Sequence, residues 1–250
     1  MAEITFEPLN GPHETALAWL LDSTLPSGKR LDALLIVVDG YQNDWFDLLL
    51  NLLNNPEEAP DIRASVGISL GKLANNPLSG ITTSQHAPLI EALRNLQHSE
   101  NPLLRRYAPI AMALTGQSAT IPWVVEGLKD PDLDVFHSAA EALGQYGREA
   151  VPYLLEVLAQ GHDDAQCVAA WKLGELGFDE ALEPLMNTIK DGLDGRVSSN
   201  LTALCVWALG EIGTRTPAVL QALHQAEQSS VPDIATRAQW ALKKIARNWN

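Results

Sequence analysis

The stretch DPDLDVFHSAAEALG, residues 130–144, decides the fold. It opens on Asp and Pro and runs into an Ala-rich segment that closes at Leu143-Gly144. Asp just ahead of a helix serves as a cap, and Gly just past one suits a left-handed closure. Upstream lies IPWVVEGLK, residues 121–129, with Pro122 where a first helical turn tolerates proline because its missing N–H would have had no partner. Together the two pieces read as a pair of short helices.

The pair recurs. Aligned on the closing Leu, residues 87–116 (APLIEALRNLQHSENPLLRRYAPIAMALTG), 151–174 (VPYLLEVLAQGHDDAQCVAAWKLG) and 183–210 (EPLMNTIKDGLDGRVSSNLTALCVWALG) repeat it, each beginning near Pro88, Pro152 or Pro184. A unit of about 30 residues is within the range of helical solenoids. Residues 43–71 and 216–246 carry weaker copies, and residues 13–39 read as a degenerate pair. No run alternates with the period of a strand, so the chain is predicted to be all-α, with atypical terminal pairs facing water.

In its central copy the unit resembles the short HEAT repeat of the phycobilisome-lyase type, whose signature runs DPDxxVRxxAAEALG. Phe136 stands where that signature has Arg. The resemblance covers most of residues 43–247. It implies a right-handed α-solenoid of about six to seven helix pairs, with N-terminal capping helices in residues 1–42, one continuous array in residues 43–250, and the second helices lining a concave surface. Such repeats serve many unrelated tasks.

Leu70, Leu114, Leu143, Leu173, Leu209 and Leu242 anchor the second helices. At about 100° per residue, Val66, Ile110, Ala139, Ala169, Cys205 and Ala238 share the anchors' face, with Leu73, Tyr146, Leu176, Ile212 and Ile245. That face is the predicted core. Two residues before each anchor, on roughly the opposite side, stand Ile68, Met112, Glu141, Trp171, Trp207 and Trp240. A column facing water should be polar, yet this one is mostly apolar and ends in three tryptophans. A contiguous apolar surface of this kind marks a binding site, with Trp as anchor, unless its rings pack into the grooves between neighbouring second helices. Glu141, Glu175, Glu211 and Arg237 are expected as its polar rim, favouring a basic or apolar surface on the partner. Trp123, in first-helix register with Leu89, Tyr153 and Leu185, is expected in the core.

Bulk composition narrows the partner. With 17 basic against 31 acidic residues the chain carries a net charge of −14, unsuited to nucleic acid or anionic membranes. The longest apolar run, ALLIVV at 33–38, is far short of the roughly 20 residues of a membrane span. The opening MAEITFEPLN lacks the basic start and apolar run of a secretory leader. Two cysteines in unlike contexts suit a reducing cytoplasm.

Cys205 falls on the core face and reads as a small buried hydrophobe. Cys167 lies about a third of a turn round the helix; His137 is its counterpart one repeat earlier, and His162, Asp163 and Asp164 stand just upstream. These could hold a soft metal, but the spacing matches no zinc motif, and linker Asp residues are expected as caps. Among HEAT-like enzymes, deoxyhypusine hydroxylase builds its di-iron centre from His-Glu pairs at the starts of second helices. Here the pair occurs only at His13-Glu14, and Ser138 follows His137. No phosphate-cradling loop or HExxH is present, and the glycines are read as helix caps. Glu175 and Glu211 repeat with the fold.

The expected function is a non-catalytic adaptor holding a protein partner, with no cofactor of its own. The pattern is similar to cyanobacterial HEAT-repeat proteins that bind an iron–sulfur carrier. The alternative implied by the same resemblance is a phycobilin lyase subunit or phycobilisome-related chaperone or degradation factor, in which an aromatic groove stacks on an open-chain tetrapyrrole.

Overall fold

The computed structural model describes residues 11–248, and every regular element among them is helical. Residues 1–10, read above as lacking a leader and as part of the cap, lie outside the described residues. The chain forms two compact units that divide between Ala142 and Leu143.

In the first unit, α1 (Pro12–Leu21) pairs with α2 (Ser27–Asp39), α3 (Phe46–Asn54) with α4 (Pro60–Ala74), and α5 (Thr83–Gln97) with α6 (Pro102–Leu114). The short α7 (Ile121–Glu126) precedes α8 (Leu133–Gly144), which crosses the division. In the second unit, α9 (Val151–Gln160) pairs with α10 (Asp163–Leu176), α11 (Leu182–Leu193) with α12 (Ser199–Ile212), and α13 (Pro217–Glu227) with α14 (Pro232–Asn248). This is the all-α solenoid of helix pairs that the repeat predicts.

The helices begin where local chemistry lets them. Four of the first helices (α3, α7, α9 and α11) are entered through a short 3₁₀ turn, such as Gly147–Ala150 before α9. Asn101 and Ser198 cap α6 and α12, accepting from the N–H groups of Leu103 at 2.9 Å and Leu201 at 3.2 Å. Pro122 and Pro152 occupy the first helical turn, as expected. Pro88 does not. α5 starts at Thr83, because Gln85 Oε1 accepts the Thr82 N–H at 2.8 Å and opens the helix a turn earlier.

The predicted core face is buried only in part: Ile110, Leu114, Tyr146, Leu176, Ile212 and Leu242 are half-buried. Val66, Ala139, Ala169, Cys205, Ala238 and Ile245 are sealed, with Leu89, Leu154, Leu185 and Leu223 opposing them from first helices. Trp123 is only half-buried; its carbonyl accepts Gln97 Nε2 at 2.7 Å, and the Arg94 guanidinium lies 5.3 Å from its ring centroid.

Not all of the glycines cap helices, contrary to the expectation from the sequence. Gly177 and Gly213 close α10 and α12 in the left-handed region, at φ 74° and 76°. Gly71, Gly174 and Gly210, which directly follow the anchoring leucines, instead lie inside α4, α10 and α12. They mark where the next second helix presses. A Cβ at Gly71 would lie 2.5 Å from the Ala111 carbonyl oxygen of α6.

One feature of the first unit has no counterpart in the sequence reading. Arg30 of α2 is buried, and its guanidinium meets the Glu58 carboxylate through two bonds of 2.7 Å. Arg30 Nε also donates to the Leu20 carbonyl at 2.8 Å, while Glu58 Oε1 accepts the Ala59 N–H at 2.8 Å. The pair thus ties α1 and α2 to the turn that starts α4. The Arg30 hydrogen bonds hold the Glu58 carboxyl below its ordinary range, against the opposing effect of burial.

Candidate functional site

In the second unit the second helices α10, α12 and α14 lie side by side, and the repeat places Trp171, Trp207 and Trp240 at equivalent positions along them. Trp171 and Trp207 are half-buried, and Trp240 is 38% exposed. The interior glycines explain how bulky rings fit between close helices. The Cζ3 edge of Trp207 lies 2.9 Å from where a Cβ on Gly174 would stand, with Ala208 Cα at 2.8 Å. One repeat on, the Cζ3 edge of Trp240 lies 2.6 Å from a Cβ built on Gly210, with Ala241 Cα at 3.0 Å. Each indole is therefore seated by an edge on the preceding helix while part of its surface stays open.

Lysines complete the face, and sequence reasoning missed them. The Lys172 Nζ lies 4.1 Å from the Trp171 ring centroid and 3.0 Å from Glu175 Oε2. Lys172 is only 3% exposed. It occupies the position that holds Ala208 and Ala241 in the following repeats, and its chain runs past Gly144, Cδ 3.9 Å from a Cβ built there. Lys244 Nζ lies 5.0 Å from the Trp240 centroid and bonds Glu211 Oε2 across from α14 to α12. Cation–π contacts contribute about 0.5–1 kcal/mol at exposed sites and more when desolvated. The signal was in the sequence as a Lys beside Trp171 and another one turn after Trp240.

The remaining rim residues fall as follows. Glu175 is exposed and Glu211 half-buried, both on this face. Arg237 is half-buried and holds Asp233 within its own helix at 3.1 Å. Glu141 is exposed on α8 of the first unit. Ile68 is half-buried on α4. Met112 is a correction: it is fully buried. α4, α5 and α7 all pack on α6, and the close approach of Gly71 to the neighbouring Ala111 carbonyl leaves residue 112 no water to face.

Cys167 is buried at the N-terminal end of α10. Asn200 Nδ2 of α12 donates to its sulfur at 3.3 Å, and Ser198 Oγ donates to Asp163 Oδ1 at 2.7 Å beside it. Burial first, then the charges of Asp163 and Asp164, push its thiol up to about 11. Burial likewise holds up the Cys205 thiol, which is fully enclosed. A protonated thiol is a poor nucleophile and a poor metal ligand. His162 and His137 are both exposed, His137 making an edge contact with Phe136 at 5.5 Å. Among the described residues no three His, Cys, Asp or Glu side chains gather where they could hold a metal ion. Only roughly one Cys167 thiol in a thousand is ionised at pH 8. Native protein should therefore react with iodoacetamide far more slowly than urea-unfolded protein, and equal rates would show that the thiol is open.

No described helix is long and apolar enough to cross a membrane. The HEAT-repeat family matches residues 87–166 and 151–243, whereas no curated protein matches the chain. Among solved structures, the Escherichia coli protein YibA superposes with a TM-score of 0.54 at 20% identity, over 94% of this chain and 81% of that one. One chain from the structure of the CpcE–CpcF complex of phycocyanin lyase from Nostoc sp. PCC7120 gives 0.46 at 20% identity, over 98% of this chain and 100% of that one. Human deoxyhypusine hydroxylase gives 0.39 at 16%, over 94% and 97%. At 20% identity the likeness to YibA is one of fold. The two matched segments together span more than half the chain, from residue 87 to 243: the chain belongs to the HEAT-repeat family.

Proposed function

We propose that this protein is a non-catalytic scaffold whose α10–α12–α14 face docks a protein partner carrying a basic or apolar surface. A helical-repeat array is suited to protein binding, since it repeats one surface position at regular spacing. The observation that carries the reading is the set of three indoles on neighbouring second helices, at least two of them seated on glycines and all partly open. The Trp207 and Trp240 rings lose little conformational freedom on binding because they are already held, which favours affinity. Lysine–glutamate pairs between them supply a polar surround.

The test is affinity purification from the native host with the wild type beside Trp207→Ala/Trp240→Ala, the variant first confirmed as helical by circular dichroism. A client retained by the wild type should be lost, since anchoring tryptophans contribute about 2 kcal/mol or more each. Identical clients in both eluates would sink the reading. Iron–sulfur carriers and bilin-bearing proteins are the client classes to look for, and the iron content and visible spectrum of the eluate separate them.

A further inference from the structure

Two of the three indoles on this face already carry a cation, Lys172 at 4.1 Å from the Trp171 centroid and Lys244 at 5.0 Å from that of Trp240. Trp207, between them in the repeat order, carries none among the described residues. Its surroundings are nevertheless those of a cation site. Glu211 follows it by one helical turn on the same side of α12. The edge of its ring rests on Gly174, and the next residue along α10 is Glu175. Both carboxylates are held by a lysine through Oε2, which leaves each Oε1 without a partner among the described residues. The side chains of Glu175 and Glu211 are 44% and 30% exposed.

We propose that Trp207, Glu175 and Glu211 form a seat for an arginine side chain of the partner. The inference rests on the reading that this face is the docking surface. A guanidinium is flat, so it can lie on the indole while its edge donates in its own plane to the carboxylates. An apolar side chain in the same place would strip water from two carboxylate oxygens and offer them no donor. A lysine would supply the charge but not the planar fork. The net charge of −14 draws a basic segment toward the chain before contact.

The full-length ¹⁵N-labelled protein is titrated with a decapeptide of alternating Arg and Ser while the indole N–H signals are followed, that of Trp207 assigned by its loss in Trp207→Phe. The expected result is a saturable shift of the Trp207 signal. Citrulline, which keeps the shape and removes the charge, should weaken binding about tenfold when it replaces Arg. Glu175→Gln/Glu211→Gln should do the same, with an unchanged circular dichroism spectrum. If citrulline or norleucine peptides shift Trp207 as well as the arginine peptide does, the arginine seat falls while the docking face stands. If no peptide moves Trp171, Trp207 or Trp240, the seat is overturned and the face reading loses its support as well.

Discussion

Arg30→Met is expected to lower stability by about 3–5 kcal/mol, because it leaves a buried carboxylate without its cation. Glu58 would keep only the Ala59 N–H, and the Leu20 carbonyl would lose its donor. The urea midpoint of the first unit's unfolding reads the loss directly. Replacing both members, Arg30→Met with Glu58→Leu, should recover most of it, since an apolar pair of similar bulk avoids the cost of burying charge. A loss below about 1 kcal/mol for the single change would mean that water reaches the pair, as at a surface ion pair. Acid provides a second reading. The folded state holds the Glu58 carboxyl below its unfolded value, so its contribution is full above the ordinary carboxylate range. It is lost as pH falls through the lowered folded value. Wild type should thus lose stability in that acidic window, and the double variant should lose less.

Gly174→Ala is the second large effect, and its direction runs against helix propensity. In an open helix interior the change stabilises by about 1 kcal/mol. Gly28, in the first turn of α2, has nothing within 4 Å of a built Cβ, and Gly28→Ala should stabilise by about 0.4–1 kcal/mol. At Gly174 the new methyl would lie 2.8 Å from Ala208 Cα and 2.9 Å from the Trp207 ring. Backbone cannot step aside as a flexible side chain does, so α10 and α12 must separate, at a net cost of about 1–3 kcal/mol. Gly210→Ala should behave alike, because Ala241 and Trp240 crowd it in the same way. Thermal melts of the three variants check the set. Stabilisation at residue 174 would show that the two helices pack more loosely than these distances imply. Gly174→Ala and Gly210→Ala should also change the Trp207 and Trp240 indole signals, tying the packing of the array to the face that presents its rings.

Much of this was readable in the residues, for a definite reason. Helix pairs and their buried stripe follow from a period of 3.6 and a repeat of about 30 residues, and Ala139, Ala169, Cys205 and Ala238 fall where that period puts them. Periodicity assigns a residue to a side of its own helix. It does not say what stands on the other side. Met112 shares the position of the tryptophans and is sealed because other helices cover it. Gly174 and Gly210 looked like terminators because Gly-Glu-Leu-Gly and Gly-Glu-Ile-Gly each hold two glycines, one for contact and one for the left-handed cap. Lys172 reads as a surface charge by composition, yet it is 3% exposed. Arg30 and Glu58 belong to different repeats and share no local motif, so only the fold brings them together.

The nesting of Trp207 on Gly174 and of Trp240 on Gly210 gives the array a grammar. A tryptophan in one repeat requires a glycine after the anchoring leucine of the repeat before it. The requirement has a direction, because the repeat that donates the ring and the one that receives it meet it with different residues. α14 has Lys243 after its anchor, where α10 and α12 have glycine, so it can give a ring but cannot accept one. These modules are therefore not interchangeable beads. Moving a tryptophan-bearing module to follow α14 would put its indole against Lys243.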